Sequence, residues 1–271
     1  MTAKMAEETA GEMDARRVVV TGGTGSLGEA LIRGFARRGA RVGITARSPE
    51  KAERLTARLA AEGIRIDVAI ADLAAPETAA TAVTALADRL GGLDVLVNNA
   101  GHGVRRGLDE ATPENWATSF AITVSAPYFA ARAAAAAMTR GGVIVNIASE
   151  MAHLVSGASM VYATSKAALV HLNGCLADAL ATRGIRVLAV SPGPFESDLL
   201  LSNIDQSGVG RDSGLTQMAA RVPLGRIATA EEIAETILFI ASDRAAYMTG
   251  SVIRLDGGTT IPRRQEPRPA G

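Results

Sequence analysis

Cysteine is nearly missing from this chain: Cys175 is the only one among 271 residues. A single thiol excludes an intrachain disulfide and any thiolate-rich metal site. Free cysteines are usually buried and inert, so Cys175 is expected inside, on a helix. Histidine is almost as scarce, with only His102, His153 and His171. No pair has metal-ligand spacing with a carboxylate on one face, so no metal is expected. Net charge is absent as well, since Lys+Arg and Asp+Glu both total 28. That balance leaves no electrostatic footprint for nucleic acid and no basic face for a lipid surface. No apolar run reaches the ~20 residues of a membrane span; the Ala-rich run after Phe129 is cut by Arg132. Met1 to Ala15 carries Glu7, Glu8, Glu12 and Asp14, which is unlike a secretory signal. What remains is a small-molecule enzyme or binding protein, expected in the cytoplasm, with neither nucleic acid nor membrane as partner.

Apolar residues make up 48% of the chain, ample for a large core. Arg17 to Thr21 is a β-branched run that stops at Gly22-Gly23, and a helix pattern follows from Ser26 to Arg38, closed by Gly39. Arg41 to Ala46 is the next strand; Ser48-Pro49-Glu50 then opens a helix with Ser48 as N-cap and Pro49 in the first turn. The alternation continues with strands at 64–71, 93–98, 143–148, 185–190 and 251–255. Helices are expected at 76–90, 113–139, 159–183 and 229–241, with Pro127 kinking or splitting the longest. Strands such as Val95-Leu96-Val97 and Val187-Leu188-Ala189-Val190 are continuous apolar runs, as in a parallel sheet covered on both faces. The expectation is a single α/β domain over 16–260, a doubly wound parallel sheet of Rossmann type. Residues 1–15 and the tail 261–271 lack periodicity and are expected to be mobile. The segment 195–223 follows a strand's C-terminal end and reads as a lid over the ligand crevice.

The turn Thr21-Gly22-Gly23-Thr24-Gly25-Ser26-Leu27-Gly28 joins the first strand to the first helix. Glycines there let the backbone approach a pyrophosphate, and the helix N-terminus offers N–H groups and positive dipole. A site that prefers NAD usually has an acid about 20 residues on, holding the ribose 2′-hydroxyl. Here the second strand ends Ala46-Arg47-Ser48. Arg47 is suited to pair with a 2′-phosphate and Ser48 to donate to it, so NADP(H) is expected over NAD(H). The plainer alternative for Arg47 is a solvated start to the next helix.

Tyr162 and Lys166 are four apart at the start of a helix, so phenol and ammonium share one face. A nearby cation stabilises phenolate and lowers the phenol pKa by ~1–3 units toward neutrality. The spacing alone is common by chance. Ser149, at the C-terminal end of the preceding apolar strand, gives it weight, because a hydroxyl there faces the crevice.

With these motifs in order, the chain resembles the short-chain dehydrogenase/reductase family, in particular its single-domain 3-oxoacyl-carrier-protein reductases. The resemblance runs from about Arg17 to Thr260. It includes the glycine turn, Asp72, Asn98-Asn99-Ala100-Gly101, Ser149 with Tyr162 and Lys166, Pro192-Gly193, Pro223 to Arg226, and Leu255 to Gly258. It implies hydride transfer between a nicotinamide and a small carbonyl or alcohol. Tyr162 is implied as acid/base, Ser149 as orienting the reacting oxygen, and Lys166 as ribose ligand and tuner of Tyr162. Thr21, Gly22, Thr24, Gly25, Ser26, Leu27 and Gly28 are implied at the cofactor with Arg47 and Ser48. Asp72 and Leu73 are implied beside the adenine, Asn99, Ala100 and Gly101 along the cofactor, and Pro192, Gly193 and Ser197 at the nicotinamide amide. Phe195 adds an apolar contact. In this family two long helices pair between subunits, so the helix with Trp116 and the alanines 133–137 implies a homotetramer or homodimer; the plainer alternative is that the alanines only pack internally.

Two residues depart from the family pattern. Ser26 replaces the middle glycine of the turn. Thr123 stands where an asparagine usually helps carry protons to the lysine; a threonine is not expected to open the same gap in its helix, but its hydroxyl can still hold a water of that relay, so Thr123 is counted with Ser149, Tyr162 and Lys166 as catalytic. His153, between Ser149 and Tyr162, reads either as a substrate contact or as a solvated loop histidine; His102 carries the same two readings. Rival functions are a non-catalytic NADP(H)-sensing protein and a non-redox lyase on the same fold. An enoyl reductase needs a wider Tyr–Lys spacing than four.

Overall fold

A computed structural model describes residues 11–103, 106–206 and 208–262. Its strands are β1 (Arg17–Val20), β2 (Arg41–Ala46), β3 (Ile66–Ile70), β4 (Val95–Asn98), β5 (Gly142–Ile147), β6 (Ile185–Pro192) and β7 (Val252–Leu255). All neighbours pair in parallel, in the order β3-β2-β1-β4-β5-β6-β7. The sheet is the doubly wound one read from the sequence. Successive side chains of a strand point to opposite faces. Val18 and Val20 therefore join one apolar core and Val19 the other, all fully buried. The first core holds α1 (Ser26–Arg37) and α9 (Ala230–Ala241) against the sheet; the second holds α3 (Glu77–Leu90), α5 (Ala126–Ala137) and α6 (Met160–Leu180). The strand order reverses between β1 and β4, which opens a crevice at their C-terminal ends.

The helix expected over 113–139 is three pieces. α4 (Pro113–Phe120) starts at a Thr112–Asn115 capping box, a π-helical turn spans Ala121–Ser125, and α5 follows. Pro127 has no N–H to give to the carbonyl of Thr123, four residues back, and its ring crowds that carbonyl. Ala126 instead donates to Ala121, five residues back. The stretch Pro113–Ala137 is long and apolar enough to cross a membrane by length and composition, its most apolar 18 residues having a mean hydropathy of 1.2. Its second half is a core helix: Ala130, Ala131, Ala134 and Ala135 are buried against α3. Most of the alanine run thus packs within the chain itself. Trp116 and Tyr128 are the exposed aromatics here, and Trp116 stacks on Phe120 at 5.0 Å.

Two expectations need correction. The N-terminal segment is not loose as far as residue 15. Met13 is buried in the first core, its N–H donates to the Arg38 carbonyl at 3.0 Å, and Glu12 meets Arg38 and Arg244. One methionine in a polar segment has no periodicity to announce it. Residues 1–10 and the tail from 263 lie outside the described residues. Cys175 is not an interior residue: it is exposed, on the face of α6 opposite buried Asn173, Leu176 and Ala177.

Candidate active site

The crevice holds a cavity of about 540 Å³, running from the end of β2 across β1, β4 and β5 to the end of β6. Its first wall is the glycine turn. Gly22 has φ +65°, and a Cβ there would stand 2.9 Å from the Ala100 Cα. A Cβ on Gly28 would stand 2.6 Å from the Gly23 carbonyl, so α1 approaches the turn only because that side chain is missing. Gly25, the N-cap of α1, supplies no side-chain cap. The first N–H groups of the helix therefore look for a partner beyond it, which suits an anion. Gly22, Thr24, Gly25, Ser26, Leu27 and Gly28 line this wall.

Thr21, expected at the cofactor, does not line the cavity. Its Oγ1 accepts from the N–H groups of Asn99 (3.0 Å) and Ala100 (3.1 Å), while the Asn99 amide donates to the carbonyls of Thr21 and Gly22. Thr21 thus stitches β1 to β4 beneath the turn. Thr45 adds a stitch from β2, its hydroxyl accepting from Gly22 N–H at 3.1 Å. Asn99, Ala100 and Gly101 do line the cavity.

At the β2 end stand Arg47, Ser48 and Lys51. Arg47 is exposed and makes no ion pair among the described residues. Ser48 caps α2 (Pro49–Ala61), accepting from Lys51 N–H at 3.2 Å and donating to Glu50 at 2.6 Å. That engagement leaves the Ser48 hydroxyl less free as a donor than its sequence position promises. Lys51 went unnoticed in the sequence, although the first turn of a helix beginning at an Arg-Ser pair was the signal for it. Asp72 and Leu73 face this end too, and Asp72 accepts from Ala74 N–H at 3.1 Å.

At the other end Ser149, Tyr162 and Lys166 line the same cavity. Lys166 is buried, its Nζ donating to the Ile147 carbonyl at 2.7 Å and standing 5.8 Å from the Tyr162 ring centre. Burial lowers its pKa to about 8. Ser149 is the N-cap of a short 3-10 turn, Glu150–Ala152, its Oγ accepting from Met151 N–H at 3.2 Å. Pro192, Gly193 and Ser197 border this end. Ser197 caps α7 (Asp198–Gln206), accepting from Leu200 N–H at 3.1 Å. α7 and α8 (Arg211–Ala219) form the segment after β6, and Phe195, Leu199, Leu200, Asn203 and Met218 close one side of the cavity from it. Glu150 and Met151 also reach the cavity, unmarked by any sequence motif.

Thr123 does not reach it. The gap that an asparagine was expected to open is nonetheless there, as the π turn, and Thr123 Oγ1, buried in it, has no hydrogen-bond partner among the described residues. His102 lines the cavity, half-buried, its pKa held down by burial and then by Arg47. His153 lies outside the lining and bonds Ser191 instead.

A family model described as "Enoyl-(Acyl carrier protein) reductase" matches residues 22–260. An uncharacterized oxidoreductase of Thermotoga maritima is 36% identical over 245 residues, covering 90% of this chain and 96% of that protein. The 3-oxoacyl-[acyl-carrier-protein] reductase FabG of Escherichia coli is 33% identical over 247 residues, covering 90% and 97%. Among solved structures, a short-chain dehydrogenase from Burkholderia cenocepacia in complex with NADP superposes with a TM-score of 0.83 at 32% identity, covering 92% of this chain and 100% of that one. A short-chain type dehydrogenase/reductase from Mycobacterium marinum gives 0.85 at 30% identity, covering 92% and 97%. With a matching sheet and relatives spanning nearly its whole length, the chain belongs to the short-chain dehydrogenase/reductase family of oxidoreductases.

Proposed function

We propose that this protein is an NADP(H)-dependent ketoreductase or alcohol dehydrogenase with Tyr162 as its acid/base. The observation that carries the reading is one cavity lined at one end by Arg47 and Lys51, in the middle by the glycine turn, and at the other end by Ser149, Tyr162 and buried Lys166. The residues fit the cofactor. The uncapped α1 N-terminus and the close-packed glycines suit a pyrophosphate. Arg47 and Lys51 suit a 2′-phosphate, where a carboxylate would repel it. Asp72 and Leu73 would border the adenine; Asn99, Ala100, Gly101 and Lys166 the nicotinamide ribose; Pro192, Gly193 and Ser197 the amide. The chemistry NADP(H) supplies when bound is hydride transfer.

Tyr162 holds the proton at its hydroxyl and gives it to a carbonyl oxygen, or takes one from an alcohol. Ser149 donates to that oxygen and fixes its direction. Lys166, held by Ile147, places a cation where it stabilises the phenolate. Met151, Phe195, Leu199 and Met218 in the cavity lining favour an apolar carbonyl compound. The four-residue Tyr–Lys spacing favours C=O over C=C reduction. Relatives support the cofactor: besides the Burkholderia structure, a metagenomic blue fluorescent protein in complex with NADPH superposes with a TM-score of 0.83 at 33% identity. Exposed Trp116 and Tyr128 support a homodimer or homotetramer. The test is incubation with NADPH and a panel of ketones, following cofactor absorbance. Tight NADPH binding without turnover of any carbonyl would favour the non-catalytic sensing alternative.

A further inference from the structure

The turn that carries Ser149 is held at both ends. Ser149 is its N-cap, and His153 is its C-cap, with the His153 N–H donating to the Glu150 carbonyl at 2.9 Å. From the C-cap the imidazole leaves the turn, and its Nε2 lies 3.0 Å from Ser191 Oγ. Ser191 is fully buried in β6, in register with Arg254 of β7. The next two residues, Pro192 and Gly193, line the cavity at the end where Ser149 and Tyr162 stand. Neither reading of His153 from the sequence describes this: the ring touches neither the cavity nor open solvent alone. Burial and Arg254 hold its pKa down against the pull of Asp256, which favours the neutral ring. One nitrogen then donates and the other accepts, and either tautomer completes the bond to a hydroxyl.

We propose that His153 and Ser191 form a clamp that positions Ser149, tying the turn under the substrate oxygen to the strand end that borders the nicotinamide. His153 is thereby a positioning residue, and its role rests on the reading of Ser149 as the group that orients substrate. The turn is only three residues long, so a shift at its C-cap reaches the N-cap with little loss. The far side is pinned as well, because the Thr259 hydroxyl donates to Glu150. Thr259 sits in a turn folded about Asp256, which accepts from the N–H groups of Gly258 (2.9 Å) and Thr260 (3.0 Å). These two ties hold the turn on either side of Met151, whose N–H donates to Ser149 Oγ.

The test uses His153→Ala, Ser191→Ala, the double variant and His153→Gln, whose amide nitrogen stands near the position of Nε2. Each single alanine should lower kcat roughly 10- to 100-fold, as misplacement of a reacting group by ~1 Å does, with NADPH affinity nearly unchanged. The double variant should be no worse than either single one, because both remove one interaction. His153→Gln should recover most of the loss. Amide hydrogen exchange at Met151 to His153 should quicken in both single alanine variants, whether or not a substrate is known. Unchanged kcat in an active enzyme, losses that multiply in the double variant, or unchanged exchange would each overturn the clamp. A wild type that reduces no carbonyl compound refutes the proposed function instead, and the exchange measurement then judges the clamp by itself.

Discussion

Lys166 Nζ gives its hydrogen bond to the Ile147 carbonyl, 2.7 Å away, and so stands 5.8 Å from the centre of the Tyr162 ring rather than in water. The ammonium is anchored by β5 and aimed by α6. Its position therefore depends on how those two elements pack, as well as on the spacing of two residues along one helix.

That anchoring has a cost that shows with pH. Burial lowers the Lys166 pKa from 10.5 to about 8. Between these values the unfolded chain binds more protons than the folded one, so stability rises with pH through that window. Below it the buried charge costs about 3 kcal/mol, at ~1.4 kcal/mol per pKa unit, less whatever the Ile147 bond returns. Lys166→Met without cofactor should therefore be more stable than the wild type at pH 7, with the difference shrinking toward pH 10. Urea unfolding at the two pH values measures it; a gap that does not shrink contradicts the buried-charge account. The same variant should lose both turnover and NADPH affinity.

Tyr162→Phe keeps the ring against Lys166 and removes only the hydroxyl. Turnover should fall by at least the ~10²–10⁴-fold typical of lost acid–base assistance, while NADPH binding, measured by fluorescence, stays within about twofold. Activity close to wild type would remove Tyr162 from the mechanism.

Arg47 decides cofactor choice if the 2′-phosphate lies at the end of β2. Arg47→Ala should weaken NADPH binding roughly ten- to a hundredfold, the range of one charged hydrogen bond, and NADH binding hardly at all. Lys51→Ala should act in the same direction with a smaller effect. Equal losses for the two cofactors, read by titration calorimetry, would make Arg47 a surface residue.

The buried Thr123 hydroxyl has no hydrogen-bond partner among the described residues. Thr123→Val keeps the shape and removes that group, so stability should rise by about 1 kcal/mol, the lower end of the cost of an unsatisfied buried polar group. Because Thr123 does not line the cavity, turnover should stay within a few fold. A large fall in kcat with a growing solvent isotope effect would instead show that protons pass this hydroxyl.

The sequence by itself determined the fold class, since runs such as Val95-Leu96-Val97 have no stable place except a sheet covered on both faces. It also made legible the glycine turn, Arg47 and the Tyr162–Lys166 pair, which line one cavity, because each is a local pattern set by spacing along one element. Tertiary structure decided what depends on distant segments meeting. Thr21 faces β4 rather than the cavity because Asn99, far along the chain, needs its hydroxyl. Met13 is core because its segment is tied by a backbone bond to Arg38, at the end of α1, and its side chain joins the cluster that also holds Phe35 and Val18. His153 meets Ser191 across 38 positions, a contact no periodicity records. Hydrophobic period and turn chemistry act over a few residues and are legible in the chain. The partner of a buried polar group is chosen by whichever strand end or helix the packed sheet brings within 3 Å of it, and only the folded molecule holds that choice.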